Sequence, residues 1–342
     1  MKIKNLLIIG NGFDLAHSLE TDYKSFIKNH LIDEGLKKGF ITIQKENVVN
    51  NPNYKLKNNI SNQYKNIETK NYFLSRLLNE FNLINWVDIE KLYFKILTEE
   101  KYDVKKLNEE FSLIKKELEI YLTSVSKERT GNHMYQFFDG LATQKENELM
   151  ILNFNYTEVF QRMYADSFKE PKIINIHGQL NSPNNPIVFG YAPTDIETIN
   201  LINKGDNDYL KNIKKYYYKR TDSELQLNQF LVTKYKKDIH VHILGHSCGT
   251  SDRNILKQIF TNESVKKINI MYHENYDNYF NTLVNIERVI GNSSQYAIIN
   301  NFGNSIRMPQ LSEDEKNRRI SNQTITNFFN QKNNPTRGID IR

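Results

Sequence analysis

Four short segments of this 342-residue sequence set chemistry-bearing side chains directly after apolar runs. They are Gly10-Asn11-Gly12-Phe13-Asp14, Asn153-Phe154-Asn155, His177-Gly178, and Gly245-His246-Ser247-Cys248-Gly249-Thr250-Ser251-Asp252. His177 carries an imidazole whose ordinary pKa of about 6.5 suits a general base at neutral pH, and suits a satisfied strand-end histidine equally well. Asn155 can orient a ligand hydroxyl or a water, or tie down its own turn through local side-chain bonds. Gly10 and Gly12 allow φ > 0 and a close ligand approach, and Asp14 before Leu15-Ala16-His17 reads as a capped helix start. A strand, glycine turn and helix in that order can hold an anion on free N–H groups. The match to G-x-G-x-x-G is partial, because Leu15 stands where a third glycine or small residue belongs, and the Asp14 carboxylate would repel a phosphate.

Other candidates are open to two readings each. Ser247 and Asp252 are placed to contact a ligand or to cap the next helix, which Ser251 is also placed to cap. Cys248 sits in a glycine-rich turn, a nucleophile setting or a packing position. It is the single cysteine, which excludes an internal disulfide and a multi-cysteine zinc site. His240 and His242 share one strand face with His246 nearby, too few ligands for a metal, and none is expected. Lys214-Lys215-Tyr216-Tyr217-Tyr218-Lys219-Arg220 interleaves charge and rings, as a solvated helix face does and as a single-stranded nucleic-acid binder does.

These residues need a scaffold that gathers strand ends. Leu6 to Ile9 is an unbroken apolar run suited to a strand covered on both faces. Further strand-like runs are Leu149–Asn153, Lys172–Ile176, Ile187–Phe189, Ile239–Leu244, Lys267–Tyr272 and the weaker Ala297–Ile299. Helical stretches at Thr157–Ala165 and Asp252–Phe260 alternate with them, as in an α/β parallel sheet of Rossmann-like type. Between the first strand and the rest, Thr21–Ile27, the region from Tyr72 through Leu77, Leu78 and Phe81, and Val104–Val125 show helical periodicity. The expected organisation is a Rossmann-like domain of residues 1–20 and 146–310, a helical insertion of 21–145, and a polar C-terminal segment of 311–342. Within the insertion, 44–69 is Asn- and Lys-rich and reads as exposed. Asp88 is expected to cap a helix, with Glu90 in a surface or polar-core role. The net charge of +6 permits nucleic acid without arguing for it. No apolar run is long enough to span a membrane, and Met1–Lys4 is too short for a secretory signal, so the expected location is cytoplasmic.

Taken together, Ile9 to His17 with Leu19, Thr21 and Tyr23, then Trp86 to Glu90, Asn153 to Thr157, Ile176-His177-Gly178, and Gly245-His246-Ser247 with Asp252 resemble the AbiH family of bacterial abortive infection proteins. That resemblance implies a role in defence against bacteriophage. A more distant similarity is to sirtuin-like NAD-binding domains. It implies Gly10 and Gly12 as a phosphate turn, Asn155 near the nicotinamide ribose, His177 as general base, and Gly245 and Ser247 in a nucleotide-contacting turn. Thr157 stands where such domains often have Asp, Asp14 is foreign to their turn, and their zinc cysteines are absent, so the resemblance favours cleavage of NAD itself over peptide deacylation. The expected catalytic residues are Asn155, His177 and Asp14. The expected NAD-binding residues are Gly10, Asn11, Gly12, Phe13, Gly245, His246, Ser247 and Asp252. The partners this reading calls for are a dinucleotide ligand and a phage-derived trigger, and it is compatible with a homo-oligomer. Its rivals are a sensor that binds NAD or a related nucleotide signal without cleaving it, and a nuclease or nucleic-acid binder acting through Lys214–Arg220.

Overall fold

A computed structural model describes residues 3–43, 67–79, 86–99, 101–128, 130–143, 148–232, 238–291 and 298–311. The Asn- and Lys-rich stretch through residue 66, Phe81, Ala297, the Asp88 side chain and the segment beyond residue 311 lie outside the described residues.

The strands are β1 (Lys4–Ile9), β2 (Thr42–Ile43), β3 (Ile67–Glu68), β4 (Glu148–Asn153), β5 (Lys172–Asn175), β6 (Ile239–Leu244), β7 (Val265–Tyr272), β8 (Ile298–Ile299) and β9 (Ile306–Arg307). β2 and β3 form a separate antiparallel ribbon. The others make a seven-stranded sheet in the order β5-β4-β1-β6-β7-β8, with β9 also pairing β7. Every pairing in that sheet is parallel. Renumbered within the sheet, the order is that of the doubly wound Rossmann fold, 3-2-1-4-5-6. The chain reverses its direction of winding between β1 and β6, where two neighbouring loops leave the sheet on opposite faces and open a crevice.

β1 and β6 are buried along their whole length, which is why both read as apolar runs. Alternate side chains then feed two cores. Leu7, Ile9, Ile151 and Leu244 pack with the helices that lie between β1 and β4, including Phe73, Leu77, Phe111, Leu118 and Phe138. Leu6, Ile8, Leu152, Val241 and Ile243 pack on the other face with Leu227, Leu256, Ile259, Ile286 and Val289. The Val104–Val125 helix buries the whole stripe read from its periodicity, from Leu107 to Val125, and Asp103 caps it by accepting from Lys106 N. Each large apolar side chain so buried contributes roughly 1.5–3 kcal/mol.

Ile187–Phe189 is not a strand. It is buried coil that joins no ladder, and Val188 N donates instead to His177 O at 2.7 Å. No helix among the described residues is long and apolar enough to cross a membrane.

Candidate active site at the switch point of the sheet

The turns after β1, β4, β5 and β6 line one cavity of about 710 Å³. Asn11, Asp14, Asn155, Thr157, His177, His246, Ser247 and Asp252 all border it. A second hollow of about 800 Å³ is lined by Thr194, Lys215, Tyr216, Lys219 and Arg253 among others, and by none of these eight.

The first turn departs from its sequence reading. Its helix spans Asn11–Ala16 with Gly10 as N-cap, so Asp14 lies inside the helix rather than capping it. Gly10 has φ of −129°, and neither glycine of the turn adopts a positive φ. What requires glycine there is the Gly245–His246 turn lying on top. A Cβ on Gly10 would be 2.6 Å from His246 Cα, and one on Gly12 would be 2.9 Å from Gly245 Cα. Gly245 itself has φ of +66°, and its own Cβ would fall 2.1 Å from Phe13 N. The backbone donors of the first turn are used in the same packing: Gly10 N bonds Leu244 O, Gly12 N bonds Gly245 O and Phe13 N bonds Gly10 O. A phosphate cradle on those N–H groups is therefore closed. Phe13, expected to touch the nucleotide, is fully buried against His17, Phe138 and Tyr164 in the helical core.

Asp14 is held by neutral donors. Asn155 Nδ2 donates to its Oδ1 at 2.8 Å and Thr157 Oγ1 to its Oδ2 at 2.5 Å. Burial dominates, and pushes the Asp14 pKa up to about 7 even though Thr157 and Asn155 favour the charged form. Asn155 Nδ2 also donates to Gly10 O at 3.0 Å, which leaves Oδ1 as the remaining acceptor of that amide. Asn153, in turn, accepts from Asn155 N and donates to Thr157 O, so local bonds do shape this turn.

The opposite wall is charged. Asp252 Oδ1 lies 2.9 Å from His177 Nε2 and 3.1 Å from Lys214 Nζ, while Oδ2 faces His246 Nε2 at 3.5 Å. Lys214 Nζ also reaches Glu90 Oε1 and Oε2 at 3.0 Å, and Glu90 accepts from Gly190 N at 3.3 Å. All of these side chains are buried. Burial alone would raise Asp252, but the Lys214 ammonium and the His177 hydrogen bond outweigh it and hold the carboxyl well below its ordinary value. Lys214 stays charged because Asp252 and Glu90 outweigh its desolvation, and Glu90 is pushed up to about 7 by burial.

This network fixes both imidazoles. His177 falls below the usual imidazole value, chiefly through burial, with Asp252 opposing and Lys214 adding to the fall. A neutral ring that meets a carboxylate at Nε2 carries its proton there and keeps its lone pair on Nδ1. His246 Nδ1 accepts from Cys248 N at 3.0 Å, so its proton likewise lies on Nε2, toward Asp252. Phe154 packs against both rings, at 5.0 Å from His177 and 4.3 Å from His246, and Tyr218 stacks parallel to His177. Asp252 stands at the N-cap position of the Arg253–Phe260 helix, as the sequence suggested, but makes no capping side-chain bond; its carboxylate orients two histidines at the cavity wall.

Lys214, Glu90 and Tyr218 are the site residues that the sequence reading missed. Lys214 and Tyr218 come from the run read as a solvated face or a nucleic-acid binder, and both are buried. Within the same run Tyr217 receives Lys115 and Arg220 on its ring, and Lys219 pairs with Glu224. Cys248 is buried in a left-handed turn with φ of +54°, and burial pushes its thiol upward, which suits packing rather than attack. His242 is paired with Asn5 and Asn269 inside the sheet, apart from His246. Among the described residues no group of three or more His, Cys, Asp or Glu is arranged to hold a metal.

An open parallel sheet in this order, with a polar cavity at its switch point, is a Rossmann-like α/β protein whose switch-point cavity is built from strand-end loops. The chain belongs to the AbiH family: the model described as bacteriophage abortive infection AbiH matches residues 6–274, which span the site from Gly10 to Asp252. Members of that family act in abortive infection against bacteriophage. No curated protein matches the chain.

Proposed function

We propose that this AbiH protein binds NAD in the switch-point cavity and hydrolyses its nicotinamide–ribose bond, depleting NAD during infection. The observation that carries the reading is His177, neutral and locked by Asp252 with Nδ1 as its free lone pair, in the same cavity wall system as Asn155 and Asp14. In the reaction a water adds to the ribose C1′ as the glycosidic bond breaks. Nicotinamide leaves as a neutral molecule, ADP-ribose is the other product, and the water's proton passes to His177 Nδ1. The transition state resembles an oxocarbenium ion, which a carboxylate stabilises. Asp14 is that carboxylate once ionised, and Asn155 Oδ1 accepts from a ribose hydroxyl.

A second reading is favoured by one detail. Both Asp14 oxygens already accept protein donors, as suits a structural carboxylate in a sensor that binds the nucleotide without cleaving it. Incubating purified protein with NAD and following free nicotinamide separates the two. The hydrolase releases nicotinamide, and His177→Ala and Asn155→Ala each lose that release while keeping the wild-type circular dichroism. Binding of NAD with no release points to the sensor. Full activity in either variant removes that residue from the mechanism.

A further inference from the structure

One wall of the cavity lies just past the family match, which ends at residue 274. The helix Tyr276–Ile290 follows β7 and lines the cavity with Asn278, Thr282, Asn285 and Arg288. Spacings of three and four keep these polar residues on one side, while Tyr279, Ile286 and Ile290 are buried in the core. The face is braced. Asn285 Nδ2 donates to Ser247 O at 2.9 Å, and Asn285 Oδ1 accepts from Arg288 Nη1 at 3.0 Å. The guanidinium is thereby tied to the turn after β6, yet the Arg288 side chain is exposed and has no carboxylate partner among the described residues. Lys214, by contrast, is neutralised by Glu90 and Asp252. The first turn offers little to an anion, since its N–H groups at Gly10, Gly12 and Phe13 are already bonded and Asp14 stands in the first turn of a six-residue helix.

The geometry points to Arg288 as the residue that receives the ligand's phosphate groups, beside Ser247 and on the β7 side of the cavity, and that makes the site selective for a phosphorylated substrate. A guanidinium offers paired donors to phosphate oxygens and, tethered at one nitrogen, keeps others for the ligand. This assignment rests on the nucleotide reading of the cavity and relocates the pyrophosphate away from Gly10 and Gly12.

The test uses the full chain with ADP as a binding probe, and NAD and nicotinamide riboside as a substrate pair that differs in phosphate. Arg288→Ala is expected to weaken ADP binding at least tenfold, with Arg288→Lys recovering part of the loss. It is also expected to raise KM for NAD with kcat little changed, and to lower the preference for NAD over nicotinamide riboside, as a ratio of kcat/KM, at least tenfold. ADP that fails to bind the wild type, or binds Arg288→Ala with wild-type affinity, overturns the assignment. ADP binding that depends on Arg288 in a protein releasing no nicotinamide supports the phosphate assignment and removes the glycohydrolase reading, so the two fail separately.

Discussion

Two buried aspartates face the same cavity, and their acidities move in opposite directions. Asp14, on the wall formed by the turns after β1 and β4, is pushed up to about 7 by burial, which the neutral donors Asn155 and Thr157 offset only in part. Asp252, on the wall formed by the turns after β5 and β6, is held well below its ordinary value because Lys214 and His177 meet it. Both aspartates are buried, and what separates them is that Asp252 meets a cation and an imidazole together; Glu90, which meets Lys214 but lies beside the Asp252 carboxylate, is still pushed up to about 7 by burial. The Asp14 wall can therefore switch its charge near neutral pH, whereas on the opposite wall Asp252 stays ionised and orients two imidazoles while its neighbour Glu90 titrates at about 7.

The largest effect expected on that contrast is kinetic. His177→Ala removes the group that the charged wall orients, and should lower nicotinamide release by roughly 10²- to 10⁴-fold, the usual worth of a general base. Asp252→Asn tests the orientation itself: activity should fall with little change in KM, since an amide can no longer accept from both rings and from Lys214.

Next comes stability. Lys214→Met leaves Glu90 and Asp252 buried without their shared cation, and should cost about 3–5 kcal/mol in urea unfolding. Adding Glu90→Gln to that variant should recover part of the loss, because Asp252 still has His177. A Lys214→Met protein as stable as the wild type would show that the charged wall is not held by this ammonium.

The smaller effect is the pH response of the neutral wall. A carboxyl raised from 3.8 to about 7 by folding favours the folded state below 3.8, and loses that contribution as the pH rises through about 7. Asp14→Asn should therefore be more stable than wild type at pH 8, by up to ~1.4 kcal/mol for each pKa unit of the shift, with the difference vanishing toward pH 4. Asp252 has the reverse slope: its contribution is present above 3.8 and is lost as the pH falls through its depressed folded value. Nicotinamide release should rise as the pH passes about 7 in the wild type, and that step should be absent in Asp14→Asn. The least effect is expected at Cys248, whose buried thiol should resist a thiol reagent in the native state and react only on unfolding.

The strands that carry the site were legible because burial on both faces leaves long apolar runs, as in β1 and β6, and because each ends in glycine or a polar residue. The convergence of Asn155, His177, Ser247 and Asp252 on the first turn follows from parallel strands whose ends gather on one edge. Ile187–Phe189 misleads because a β-branched apolar run fits a buried coil as well as a strand when no ladder partner is near. The charged wall left no local trace. Lys214 meets Glu90 across 124 residues and Asp252 across 38, and a lysine in a basic run looks the same in sequence whether it faces water or two buried carboxylates. The glycines of the first turn were legible as necessary but not for their reason, since the turn that lies on them comes from β6.

The most direct test of the whole account is a crystal structure of the His177→Ala variant with NAD bound. The nicotinamide ribose should lie beside Asn155 and Asp14, with the pyrophosphate on Arg288 near Ser247. NAD bound outside this cavity, for instance in the hollow between Thr194 and Arg253, would contradict it.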